Sequence, residues 1–169
     1  MDSQTVDRFV ESWGSMGVLW GINRSMARIH ALLIASAEPL GLDEIATRLQ
    51  ISRGNTSMCL KELRSWEVIQ RVHMPGDRKD YYVSESDVWS MLFRIAAERK
   101  RREFDPALGS VRDALADSED DGGPVRERLQ QMESLLGTMD RVANQFLANE
   151  RTSRGMLQFL TGQIPNSSE

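Results

Sequence analysis

The chain has 169 residues, 40% of them hydrophobic, and a formal net charge of −4. That length fits one domain, or one domain with an oligomerisation arm, and the apolar content excludes wholesale disorder. Apolar runs such as residues 31–35 are too short to span a bilayer, the N-terminus lacks the pattern of a secretory signal, and Cys59 is the single cysteine; a cytoplasmic protein without membrane contact is expected.

Val6, Phe9, Val10, Trp13 and Met16 recur at helical spacing, so residues 4 to about 16 read as an amphipathic helix. Gly14, Gly17 and Gly21 either loosen the chain or allow close helix approach. A second helix is expected over residues 23–36, with Met26, Ile29 and Leu33 inward, ending before Pro39 and Gly41. Residues 42–49 form a short helix with Ile45, Ala46 and Leu49 on one face. After a tight turn, Ser52 caps a further helix that runs to about Trp66. Residues 68–74 and 80–83 are two strands around the turn Pro75-Gly76-Asp77, with Tyr81 and Val83 expected to face the core.

Ser84 or Ser86 is expected to cap a long helix through Val88, Leu92 and Ile95, which kinks or restarts at Asp105-Pro106 as N-cap and first helical residue. Residues 117–124, DSEDDGGP, read as an acidic loop. Beyond it Val125, Leu129, Met132, Leu136, Met139, Ala143 and Phe146 step 4-3-4-3-4-3, a coiled-coil-like seam. A short helix over residues 152–160 precedes a polar tail.

Two short helices, a tight turn and a hairpin, in that order over residues 42–83, describe a winged helix-turn-helix. In the second helix Thr56, Cys59, Leu60 and Leu63 share an inward face, while Arg53, Ser57, Lys61 and Arg64 lie opposite with Gly54 and Met58 between. Arginine can bond guanine bidentately, and hydroxyls can bond bases or phosphates, so this outer face suits a DNA major groove. Charge agrees with the geometry. Residues 48–79 hold seven basic and three acidic side chains, net +4, whereas residues 113–133 hold seven acidic and two basic ones, net −5. Arg78 and Lys79 at the hairpin tip then become a wing that reaches phosphates or the minor groove. Against this stands a winged helix used for protein–protein contact, which the fold alone does not exclude.

The stretch LDEIATRLQISRGNTSMCLKELRSWEVIQRVHMPGDRKDYYVSE resembles the DNA-binding segment of the GbsR-type branch of the MarR regulators, SRGN and PGDRKDYY most specifically. The resemblance extends back through RSMARIHALLIASAEPL and forward through RREFDPAL, roughly residues 20–110. It implies a homodimeric transcription regulator, often a repressor released by a small molecule. It puts Ser52, Arg53, Asn55, Thr56 and Ser57 at the start of the recognition helix and Arg78 and Lys79 at the wing. Such families usually carry glycine where this chain has Gln50 and Glu67, positions that follow a helix and call for a left-handed residue unless the turn takes another geometry.

The resulting expectation is a mainly α protein with a small β-hairpin wing. Residues 1–22 would be an N-terminal dimerisation helix, 23–84 a winged helix-turn-helix DNA-binding lobe, 85–116 a long connecting helix and 125–161 a C-terminal helical dimerisation arm. Ser52, Arg53, Asn55, Thr56, Ser57, Lys61, Arg64, Arg78 and Lys79 are the candidate DNA contacts, on a near-palindromic duplex. Trp13, Trp20 and Trp89 are candidates for an aromatic effector site, choline-like by family analogy only. The run Arg99-Lys100-Arg101-Arg102 either reaches flanking phosphates or is a solvated face paired with Glu98 and Glu103. Cys59 reads as a buried structural thiol or a redox sensor without a resolving partner. No cofactor, metal or catalytic constellation is expected, and hence no enzyme.

Overall fold

The computed structural model describes residues 2–118 and 123–161. The chain forms two compact units, one running to Arg94 and the other from Ile95. Residues 119–122 of the expected acidic loop, and the tail beyond 161, lie outside the described residues.

The first unit starts with helix α1 (Ser3–Leu19), whose N-cap Asp2 accepts the Thr5 N–H, and α2 (Arg24–Ile34), capped by Asn23. α1 packs along α2 because two glycines remove side-chain bulk. A Cβ on Gly17 would lie 2.6 Å from the Ala27 Cβ, and one on Gly14 would lie 2.6 Å from the Arg28 Cγ. Gly21 takes φ +73 and closes α1, with the Ile22 N–H bonded to Gly17 O. Glu11 on α1 accepts from both Arg24 (2.9 Å) and Arg28 (2.6 Å).

Helices α3 (Leu42–Leu49) and α4 (Arg53–Ser65) follow, joined by Gln50, Ile51 and Ser52. Gln50 is left-handed at φ 54, ψ 44. Its N–H bonds Thr47 O and the next N–H, of Ile51, bonds Ala46 O, which is the Schellman pattern of a helix end. The end of α4 repeats it: Glu67 sits at φ 59, with Glu67 N–H to Arg64 O and Val68 N–H to Leu63 O. Both positions where the family resemblance expects glycine therefore keep the left-handed geometry with a larger residue in place.

Strands β2 (Ile69–His73) and β3 (Asp80–Ser84) form the hairpin, and a two-residue strand β1 (Leu40–Gly41) joins them in the antiparallel order β1-β3-β2. β1 was not expected, since two residues carry no alternation. It pairs Leu40 with Tyr82 and Gly41 with Tyr81, and so ties the hairpin to the start of α3. The alternation of β3 is opposite to the expected one. Tyr82 is buried, while Tyr81 and Val83 are only half-buried, because Tyr81 lies over Gly41 and bonds the turn. The core of this unit comprises Met26, Ile29, Leu33, Ile45, Leu49, Leu60, Leu63 and Val68, none more than 5% exposed.

α5 (Val88–Arg99) is capped by Asp87, which accepts the Trp89 N–H, rather than by Ser84 or Ser86; the two amides at residues 86 and 87 bond the Glu85 carboxylate instead. Its buried residues are Met91 and Phe93, whereas Val88 and Leu92 are exposed. In the second unit the helix neither restarts nor takes Asp105 as a cap. It passes through one π-helical turn, Lys100–Phe104, into α6 (Asp105–Asp117) with helical dihedrals at Asp105. Pro106 has no N–H to give to the preceding turn, and the wider turn accommodates the missing bond. α7 (Pro124–Ala148) and α8 (Glu150–Leu160) complete the unit, the latter capped by Asn149 and starting two residues before the expected position. Among the described residues no helix is long and apolar enough to cross a membrane.

Candidate DNA-binding surface

The recognition helix is set by its first turn. Ser52 Oγ accepts the Asn55 N–H at 3.2 Å, and the buried Thr56 hydroxyl donates to Ser52 O at 3.0 Å. Arg28 Nη1 donates to Leu49 O from α2, so the turn before α4 is fastened from both sides. The inward face is as expected from spacing, with Thr56, Cys59, Leu60 and Leu63 all buried. Thr56 therefore stands corrected as a DNA contact: at 0% exposure its hydroxyl braces the helix start instead of facing solvent.

Asn55 is half-buried and turned sideways. Its Nδ2 donates to Ser25 Oγ at 3.0 Å and its Oδ1 accepts from the Cys59 thiol at 3.5 Å, so it links α4 to the first turn of α2. Burial and the neighbouring Glu62 push the Cys59 thiol upward, away from the thiolate that reacts with oxidants, which favours the structural reading of this cysteine.

Ser52, Arg53, Ser57, Lys61 and Arg64 are exposed along the outer face. Met58 joins them at 68% exposure, an apolar contact available to a thymine methyl group. Arg53 does not stand alone: its Nη1 lies 2.6 Å from Asp43 Oδ1 in the first turn of α3. Lys61 and Arg64 make no ion pair among the described residues.

The wing is shaped by its own turn. Pro75 and Gly76 occupy the centre, Gly76 at φ +82, and the Asp77 N–H closes on Met74 O at 3.1 Å, a type II arrangement. Asp77 then accepts the Lys79 N–H at 2.9 Å and the Tyr81 hydroxyl at 2.8 Å. These bonds hold its carboxyl below the usual carboxylate range and push the Tyr81 phenol up. The turn thus spends its acidic side chain on internal bonds, and Arg78 and Lys79 are exposed without an ion pair among the described residues. Between the wing and the starts of α3 and α4 lies an open cleft of about 410 Å³, lined by Asp43, Glu44, Arg53, Lys79 and Tyr81 among others.

The other candidates are placed differently. All four cations of residues 99–102 are paired within the second unit. Arg99 bonds Glu103, Arg101 and Arg102 both bond Glu98, and Lys100 sits between Asp105 (2.6 Å) and Asp140 (2.7 Å). Arg99, Arg101 and Arg102 thus pair with Glu98 and Glu103 as the solvated-face reading has it, whereas Lys100, its side chain 14% exposed, pairs outside that run. Trp13 is tilted against Phe9 with ring centroids 5.6 Å apart, Trp20 is 47% exposed at the end of α1, and the cleft beside the wing is lined by none of Trp13, Trp20 and Trp89. Asp43 escaped the reading of the sequence altogether. The signal was present in the form of an acid in the first turn of the helix preceding the basic one, but helix ends commonly carry such acids.

No family model matches the chain. Among curated proteins it is 26% identical over 114 residues to the HTH-type transcriptional repressor GbsR of Bacillus subtilis, a match covering 68% of this chain and 63% of that protein. It is 28% identical over 141 residues to the HTH-type transcriptional regulator MmpR5 of Mycobacterium tuberculosis, covering 82% of each. In fold it is similar to a crystal structure described as a transcriptional regulator, with TM-score 0.65 and 23% identity, over 85% of this chain and 96% of that one. The chain is thus similar in sequence to HTH-type transcription regulators, and its fold, mainly helical with a small three-stranded antiparallel sheet, is a winged helix-turn-helix.

Proposed function

We propose that the protein is a sequence-specific double-stranded DNA-binding transcription regulator, a homodimeric repressor relieved by a small-molecule effector. The observation that carries DNA binding is the set of cations left unpaired on one continuous motif: Lys61 and Arg64 on α4, Arg78 and Lys79 on the wing. The cations of residues 99–102, by contrast, are matched by carboxylates. The names of both curated relatives support the reading.

The dimer rests on α7. Val125, Met132, Leu135, Met139 and Val142 are all 48–68% exposed on one side of that helix, and a second copy related by a two-fold axis would cover them. A dimer of this kind sets two recognition helices about one DNA turn apart on a near-palindromic site. Relief by an effector follows from the family resemblance, and quenching of tryptophan fluorescence by choline or betaine tests its choline-like form.

Selection from a randomised duplex library, followed by anisotropy titrations at rising salt, tests the whole reading. An enriched near-palindrome, with affinity falling steeply from low to moderate salt as counterions are released, is expected. No enrichment, together with salt-insensitive binding, would favour the protein-interaction reading, which the exposed Met58 on α4 would also suit.

A further inference from the structure

We infer that Asp43 is a positioning residue for sequence discrimination: its carboxylate holds the Arg53 guanidinium in a fixed orientation at the start of the recognition helix and keeps it from the phosphates. The inference rests on the DNA-binding reading above. Three carboxylates line the cleft between α3, α4 and the wing, those of Asp43, Glu44 and Asp80. Glu44 is paired with Arg48 one turn on, at 2.8 Å, and Asp80 with Arg71 on the neighbouring strand, at 3.1 Å. Asp43 alone of the three is paired with the recognition helix, at 2.6 Å from Arg53 Nη1.

Both members of that pair are solvent-exposed, 58% and 74% for their side chains, and an exposed pair adds little to stability. Its consequence is geometric. An arginine offers five N–H donors in a rigid plane, and one taken by Asp43 fixes where the remaining ones point. A guanidinium held this way can meet guanine O6 and N7, whereas a free one swings to whichever phosphate is nearest. The carboxylate also places a negative charge at the protein–DNA boundary, which lowers affinity for every duplex alike and leaves the base contacts to decide.

Asp43→Asn keeps the shape and removes the charge. Compared with the wild type on the selected duplex and on a scrambled duplex of the same composition, it should bind the scrambled one more tightly. The ratio of the two affinities should fall about tenfold, the scale of one bidentate base contact. Library selection with the variant should lose its preference at the positions that Arg53 reads. An acid in the first turn of α3 also favours the helix electrostatically, but that role would move the melting temperature and not the ratio. In an Arg53→Ala background, Asp43→Asn should leave the ratio unchanged. A ratio within twofold of wild type for a folded Asp43→Asn protein, or equal effects of that change with and without Arg53, would overturn the inference while leaving DNA binding intact. Failure of the wild type itself to select any duplex overturns the reading on which the inference stands, and the inference with it.

Discussion

His30 lies on α2 inside the first unit, 3% exposed, with its Nε2 lacking a hydrogen-bond partner among the described residues. Burial drives its pKa down from 6.5 to about 4. Above pH 6.5 the imidazole is neutral in both folded and unfolded chains and contributes nothing to pH dependence. Between pH 6.5 and 4 the unfolded chain takes up a proton that the folded one refuses, so stability falls as pH falls, by roughly 3 kcal/mol once pH is below 4. The depressed carboxyls of Glu11, Glu85, Glu98 and Asp140 lose their contributions at lower pH, around and below their ordinary values. Urea unfolding at pH 7, 6, 5 and 4.5 should therefore show a decline that is nearly absent in His30→Gln over the same range. Equal slopes for the two proteins would refute the assignment. Gln50 and Glu67 give a second prediction of this size. Each holds a left-handed conformation that costs a non-glycine residue about 1 kcal/mol, both are exposed, and Gln50→Gly or Glu67→Gly should raise the urea midpoint accordingly. These two were legible from the family pattern as positions. That they would stay left-handed was not, because the choice between a strained Schellman end and a different turn depends on the helices that the turn must join.

At the scale of elements, α1 and α2 approach at two glycines with different tolerance. A Cβ at Gly14 meets the flexible side chain of Arg28, whereas at Gly17 it meets the Ala27 Cβ, fixed to the backbone of α2. Gly17→Val should destabilise by about 1–3 kcal/mol in chemical denaturation, and Gly14→Ala by clearly less; the reverse order would contradict this packing. Spacing alone found both helices, and the recognition helix with its buried stripe, since a 3.6-residue period is a local property of the chain. It missed β1 because two residues have no period, and it inverted β3 because Tyr81 and Tyr82 are equally suited to a core. What selects Tyr82 is the pairing with Leu40 and the bond from Tyr81 to Asp77, both of which depend on contacts outside the strand. The same limit explains Thr56, whose type suits a base contact and whose burial is decided by the helix beneath it.

Over the whole molecule, the proposed assembly turns on the seam of α7. The sequence marks Val125, Leu129, Met132, Leu136, Met139, Ala143 and Phe146 as one stripe, and the structure divides it. Glu133 and Gly137 face α6, where Arg112 bonds Glu133 at 3.1 Å, and Leu129 and Leu136 share that side and are half-buried. The line left most exposed runs through Val125, Met132, Leu135, Met139 and Val142, still with heptad steps but rotated away from α6. A single chain has one set of α7 neighbours, and a seven-residue repeat does not say which part of a broad apolar face they cover. Large apolar side chains spaced this way along a helix are costly to leave in water, and a two-fold partner buries the same line on both copies at once. Leu135→Asp with Met139→Asp places two charges in that line without touching the half-buried side. Sedimentation should then report a monomer for the variant and, if the proposed assembly holds, a dimer for the wild type. Affinity for a selected palindromic duplex should drop by about 100-fold or more as the second half-site loses its tether, while a single half-site is bound as before. A double variant that stays dimeric and binds the full site unchanged would place the proposed interface elsewhere.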